Sequence, residues 1–393
     1  MSPRVKDVAI LGSLAAAGAL LVAWLVVHGG AGGGGSALGA VPEDAFLVLS
    51  VDVRALGASP LAEAVVGKNG GGAGGGLMGV DAITESCGFN PLFRLREIVA
   101  AVPEGGERGD FGVAATGDLS KDELTRCAEK LITKRGGTPV VATAGTFTVV
   151  SDGEDARGDT TPKVAFRSGG PFLLGRGAWL TRMIDTTERR VPSIEKSAEH
   201  ASLRRALQAA DPMARAVVAS AVLPKSLRDR LKAEMAAEAS LGNARGVDAM
   251  AGVLGVASAG LALHAGKTGE DTTLLAELRC ETDAACAEVK KLIEKQRFAW
   301  SRDFGIRLFG LGPLVDNLAV ETASGSGGGS ALHVKTRGPT AELARALEHA
   351  LSPSRAPVQT PRPTPAPPSS APPTPAPRAD EVVHARSSDA SSK

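Results

Sequence analysis

Residues 8–27 run for twenty positions without a charged side chain, preceded by Arg4 and Lys6, and no further Lys or Arg follows until Arg54. At 1.5 Å of rise per residue, twenty helical residues cover about 30 Å, the thickness of a bilayer's hydrocarbon core. A helix that is apolar all round belongs in lipid or in the centre of a large protein. The run therefore predicts a transmembrane helix over residues 8–28. The positive-inside rule leaves residues 1–7 in the cytoplasm, with the rest of the chain on the other side of the membrane. The alternative is a cleaved secretory signal, with Ala37-Leu38-Gly39 before Ala40 as the processing site, which exports the same domain. Signal-peptide apolar cores usually run about 7–15 residues. The length here favours a retained single-pass signal anchor, with the lipid bilayer as a partner through that helix.

Two low-complexity stretches bound the remainder. Residues 29–40 read as a Gly-rich linker. Residues 353–393 read as a disordered Pro/Ala/Ser-rich tail, since eleven of the chain's 24 prolines fall between Pro353 and Pro377 and that composition supplies no core. The 312 residues between them exceed one ordinary domain and predict two core-forming units. Charge argues against a nucleic-acid partner, because 44 basic residues against 43 acidic leave a net charge of +1.

Along this central part, residues 45–53 read as a strand, and Ser59-Pro60 opens a helix over residues 61–66. Residues 98–102 and 111–116 form a hairpin across Pro103-Glu104-Gly105-Gly106. Ser120-Lys121-Asp122-Glu123 is a capping box, followed by Leu124, Cys127, Ala128, Leu131 and Ile132 on one helical stripe, with Gly136 placed to end the helix. Further strands are read at residues 140–150, 164–166 and 172–174, then a helix at 179–184.

The second half repeats this order. Cys127-Ala128-Glu129-Lys130-Leu131-Ile132 has its counterpart in the segment opening Cys286-Ala287-Glu288, an offset of 159 residues. Each helix follows a hairpin, the second spanning residues 255–278. Residues 216–222 and 227–235 repeat the opening strand and helix, while residues 332–334 and 343–351 repeat the closing strand and helix. The predicted fold is α+β, two tandem repeats of antiparallel sheet with packed helices over residues 41–200 and 201–352.

All four cysteines, Cys87, Cys127, Cys280 and Cys286, follow the apolar run, in the compartment where disulfides persist. Four cysteines allow three connectivities. The matched positions of Cys127 and Cys286 predict a bridge within each repeat, Cys87–Cys127 and Cys280–Cys286. No spacing fits zinc, and no cofactor is implied.

Reactive motifs are missing from the pattern. Gly266-Lys267-Thr268 has the wrong upstream spacing for a phosphate-binding loop and lies between two predicted strands, so it reads as a hairpin tip. Matches to GxGxxG within residues 67–79 follow a helix rather than a strand. The six histidines, His28, His200, His264, His333, His349 and His384, show no ligand spacing and read as surface or strand residues. Asp52 reads as a turn or edge residue. Arg204, Arg205, Arg215, Lys225, Arg228, Arg230 and Lys232 read as a solvated helix face, with lipid headgroups or peptidoglycan as the sharper alternative.

Pro42-Glu43-Asp44-Ala45, Val51-Asp52-Val53, Ser59-Pro60 and Cys87-Gly88-Phe89-Asn90-Pro91-Leu92 resemble a group of uncharacterised exported bacterial envelope proteins, lipoproteins or singly anchored proteins, over residues 41–135. The resemblance implies a location, a bacterial inner membrane with the domain in the periplasm, or release to the periplasm after signal cleavage, and carries no activity. The expectation is a binding or scaffolding protein of the cell envelope, with an envelope protein or peptidoglycan as partner. The alternative is an envelope hydrolase or transferase whose site is assembled between the repeats, and the sequence leaves the oligomeric state open.

Overall fold

The alternating strand patterns assemble into one sheet. The computed structural model describes residues 36–66, 80–90, 94–104, 110–153, 161–240, 253–324 and 330–351. The predicted transmembrane helix at 8–28, the Gly-rich residues 67–79 and the tail at 353–393 lie outside them. In chain order the strands are β1 (Ala45–Asp52), β2 (Leu95–Pro103), β3 (Gly112–Gly117), β4 (Pro139–Ala144), β5 (Phe147–Asp152), β6 (Pro162–Phe166) and β7 (Phe172–Arg176). They continue as β8 (Val217–Val222), β9 (Val256–His264), β10 (Asp271–Cys280), β11 (Ala319–Ser324) and β12 (Ser330–Pro339). Their order is β11-β12-β10-β9-β8-β1-β2-β3-β7-β6-β5-β4, antiparallel throughout. All twelve belong to one compact unit.

The helices among the described residues are α1 (Val53–Gly57), α2 (Pro60–Val66), α3 (Val80–Cys87), α4 (Lys121–Lys134), α5 (Ala178–Thr187) and α6 (Ala198–Ala210). They continue as α7 (Lys225–Ser240), α8 (Asp283–Ser301), α9 (Phe304–Leu308), α10 (Gly312–Asp316) and α11 (Thr340–Leu351). Helix α4 begins and ends where its sequence predicts. Ser120 Oγ accepts from the Glu123 N–H at 3.2 Å, and the Glu123 carboxylate accepts from the Ser120 N–H at 2.9 Å. At the other end Gly136 takes φ +87°, the left-handed conformation that suits glycine. The Gly137 and Gly136 N–H groups then close onto the carbonyls of Ile132 and Thr133, which satisfies the last turn.

Pairing partners share a face, so Val48, Ser50 and Asp52 point to the same side as Ser220 and Val218 of β8 and Glu97 of β2. On this front face α5 packs Trp179, Leu180 and Met183 against Val48, Val99, Ala114 and Leu173. On the back face Leu124 of α4 sits with Ile98, Ala100 and Val113, and Val289 of α8 sits with Val256 and Leu332. Leu61 of α2 meets Leu343 and Ala344 of α11. Side chains from far apart in the chain therefore share this cluster.

Both bridges form as predicted. Cys87–Cys127 ties α3 to α4 with Cα atoms 4.9 Å apart. Cys280–Cys286 ties the end of β10 to the first turns of α8 at 5.5 Å.

Two local readings need correction. Residues 140–150 are a hairpin of β4 and β5 rather than one strand, because the chain turns at Gly145, whose φ is +58°. The last residues of the predicted 29–40 linker are packed: Leu38–Ala40 form a 3₁₀ turn, with Ala37 and Ala40 at most 1% exposed. Their small side chains fit beside α5 and Ile194. Strand β1 is central, pairing with both β2 and β8, and Asp52 at its end is a turn residue that caps α1.

Candidate functional site

Helix α6 explains the main cavity. Leu203 and Leu207 face the sheet and are at most 3% exposed. Leu207 sits over Ala262 and Leu275. The helix approaches closely because Gly260 lies beneath it, where an added Cβ would come 2.9 Å from Leu207 Cδ1. The same helix carries a polar row at i, i+4 and i+8, formed by His200, Arg204 and Gln208, which is one surface of a helix.

His200, the innermost member, is sealed at 2% exposure. Its Nε2 lies 3.1 Å from the Ala45 carbonyl, so that nitrogen carries the proton and donates. Its Nδ1, 2.8 Å from Ser220 Oγ, accepts from the hydroxyl. Burial pushes the imidazole down to about 4, further lowered by the nearby Arg204 charge and partly offset by the bond to Ala45. A serine donating to a histidine has the form of an activated nucleophile. Ser220, however, is 1% exposed and neither residue reaches the cavity. The pair joins α6 to the sheet.

Beyond His200 the helix and sheet separate into a cavity of about 570 Å³. Its floor is Ser50 and Asp52 of β1, Glu97 of β2, Thr116 of β3 and Val218 of β8. Its roof is Arg204, Leu207 and Gln208, and Arg54, Arg96 and Arg215 stand at its margin. The cavity thus lies where the strands of residues 41–200 meet those of residues 201–352. Arg54 and Arg96 are both paired with Asp118, and Asp52 caps α1 by accepting from the Ala55 N–H at 2.9 Å.

Glu97 and Arg204 set the chemistry of this space. Burial raises the Glu97 carboxyl above the usual carboxylate range, against the Ala37 N–H that it accepts at 2.9 Å and the Arg204 charge. Burial likewise lowers Arg204, which Glu97 and Glu195 oppose. Arg204 Nη1 donates to Ser50 Oγ at 3.0 Å, while its Nε and Nη2, both buried, have no hydrogen-bond partner among the described residues. Ser50 Oγ also donates to the Val218 carbonyl at 3.2 Å, so it is held on both sides.

On the other flank of α6 a smaller cavity of about 180 Å³ is lined by Glu277, His333, Lys335 and Glu321. Glu277 is 4% exposed. It takes an ion pair from Arg279 at 2.6 Å, and His333 Nε2 lies 3.6 Å away. Arg279 also donates to Ser202 of α6 at 3.0 Å. These contacts fasten the helix to β10.

The predicted residues fall into three groups. The four cysteines form their two bridges on the back face, away from the cavity. Gly266-Lys267-Thr268 occupies the β9–β10 turn, as expected for a hairpin tip. The basic cluster is not one solvated face, because Arg204 is turned into the cavity and Arg228 is 8% exposed, bonded to Glu281. His200 is likewise buried in a helix. The polar row on α6 was the available signal for Arg204, visible only once residues 198–210 are taken as a helix. No metal-holding group of three His, Cys, Asp or Glu residues occurs among the described residues.

No protein-family model and no curated protein matches the chain. A solved structure, crystal form I of TP0453, matches at 10% identity with a TM-score of 0.40, covering 81% of this chain and 98% of that one. Likeness at that level carries no functional argument.

Proposed function

We propose that this chain is a membrane-anchored periplasmic binding or scaffolding protein of the bacterial cell envelope, built from two tandem repeats, with its ligand in the cavity beside Arg204. The apolar run at residues 8–28 supports the single-pass anchor, and two disulfides with no free cysteine among the described residues suit an oxidising compartment. The resemblance of residues 41–135 to exported envelope proteins points the same way. Among the described residues no helix is long and apolar enough to cross a membrane. The duplication is supported by order: β2–β3 leads to α4 and β9–β10 leads to α8, both helices carry a bridged cysteine, and β1 pairs with β8 at the centre of the sheet.

The observation that carries the binding reading is the Arg204 guanidinium at the wall of a large cavity, with two buried donor nitrogens, Nε and Nη2, that have no partner among the described residues. A buried donor left unsatisfied costs about 1–3 kcal/mol. A carboxylate or phosphate on a ligand answers both donors with the planar geometry that arginine favours. The envelope hydrolase or transferase remains the second reading, favoured by the raised pKa of the Glu97 carboxyl. Against it, the lining hydroxyl of Ser50 is held by Arg204 and Val218 rather than by a base.

A photocrosslinking residue in place of Gln208, in the full chain in intact cells, tests the binding reading. The expected result is a discrete adduct that Arg204→Met abolishes; an adduct unchanged in that variant, or none above background, refutes it. A reporter fused behind Ser36 tests the compartment, with activity outside the cytoplasm expected.

A further inference from the structure

Outside the cavity, the exposed large apolar side chains among the described residues are most concentrated at the end of α8 and the short helix that follows it. Within residues 298–309 five large apolar side chains face solvent: Phe298 at 58% exposure, Trp300 at 42%, Phe304 at 76%, Leu308 at 68% and Phe309 at 53%. The chain has only ten phenylalanines and three tryptophans, so four of its thirteen aromatic side chains are spent on one exposed segment. Burial of such a side chain is ordinarily favourable, and a clustered exposed set marks an interaction surface.

Charge distinguishes the kind of partner. The whole chain carries a net charge of +1, yet residues 290–309 hold six basic residues against Glu294 and Asp303. Asp303 is occupied in capping α9, accepting from the Gly305 N–H at 2.7 Å, and Asp316 pairs with Arg307 at 3.1 Å. Arg302 lies 3.9 Å from the centre of the Phe298 ring, so cation and aromatic face are presented together. Aromatic and leucine side chains interleaved with arginine and lysine are the composition of a helix lying in a bilayer interface, its rings among the acyl ends and its bases among anionic headgroups. A protein partner with an apolar face alone would gain nothing from the bases.

We infer that residues 298–309 seat the domain on an anionic phospholipid surface, as a contact separate from the predicted anchor. The inference rests on the proposal that the domain shares its compartment with a membrane. It makes the second membrane contact peripheral and reversible, weakened by salt as headgroup attraction is screened.

The test uses the full chain carrying Trp24→Phe, reconstituted in bilayers of phosphatidylcholine with or without phosphatidylglycerol, with brominated lipid as quencher. Trp179 is 3% exposed in the interior, so the lipid-sensitive emission comes from Trp300, and Trp300→Phe is the control that removes it. The expected result is at least twofold quenching in anionic bilayers, reduced by high salt and abolished by Phe304→Ser with Leu308→Ser or by Arg302→Glu. Emission from Trp300 as open to aqueous iodide in bilayers as in detergent micelles overturns the inference. Shielding that rises with protein concentration in micelles also overturns it, in favour of a second copy. Alkaline carbonate wash separates the two membrane proposals: release of the chain defeats the anchor, while quenching of Trp300 still decides the docking.

Discussion

Acidification should weaken this fold through one residue, His200. Its imidazole is held down to about 4 by burial, against 6.5 for the free side chain. Because the folded value is the lower one, the unfolded chain takes up the proton first. Stability is therefore whole above about pH 6.5, falls as the pH drops through that range, and the loss is complete below about 4. At 1.36 kcal/mol for each unit, the displacement amounts to about 3 kcal/mol, a large part of an ordinary domain's stability. Glu97, raised in the fold, works in the opposite direction over part of the same range, so the His200 contribution must be read as a difference. Denaturant midpoints of the full chain in micelles, measured from pH 7.5 to pH 4, supply it when wild type is compared with His200→Asn. The variant starts less stable because its bonds to Ala45 and Ser220 are impaired. Its curve should then be shallower by about 3 kcal/mol across the range, so that the two converge in acid. Parallel curves would refute the assignment of a neutral buried imidazole.

The remaining expectations concern the bridges, the cavity acid and one close contact. On the chain-entropy account, a disulfide closing 40 residues contributes about 4 kcal/mol and one closing six contributes about 2 kcal/mol. Cys87→Ala/Cys127→Ala should therefore cost more in denaturant unfolding than Cys280→Ala/Cys286→Ala, and the reverse ranking counts against this account. Since burial raises Glu97 above 4.5, its penalty is absent below that pH and present in full above the folded value. Glu97→Gln should melt higher than wild type at pH 7 and equally at pH 4, and a lower melting point at pH 7 contradicts this. Gly112 leaves no room for a Cβ, which would fall 2.5 Å from Trp179 and closer still to Met183, both buried. Gly112→Ala should cost about 1–3 kcal/mol, read as a shifted denaturant midpoint, and a neutral result would mean that α5 can retreat.

Features governed by neighbours in the chain were legible in advance. The capping box at Ser120 and Glu123, the stripe from Leu124 to Ile132 and the stop at Gly136 depend on residues within a turn or two, and the structure reproduces them. The β2–β3 and β9–β10 hairpins follow from two apolar runs and the turn between them. The cysteine pairing was legible because Cys127 and Cys286 hold matching helix positions, one in each half, and each bridges to the remaining cysteine of its own half. The inward turn of α6 was not legible, because that face mixes Leu203 and Leu207 with His200 and Arg204, and a half-polar stripe reads as solvated until something is known to lie opposite.

Local pattern thus determined which segments are strands and helices, where several of them stop, and which cysteines join. Only the tertiary structure decided that β1 pairs with β8, so that the strands of both halves become one sheet, and that α6 lies across their junction with Arg204 turned inward. A period-two pattern specifies which face of a strand is apolar but carries no record of which strand lies alongside. A cavity framed by Ser50, Glu97 and Arg204 joins residues more than a hundred positions apart, and its chemistry exists only once that pairing has been made.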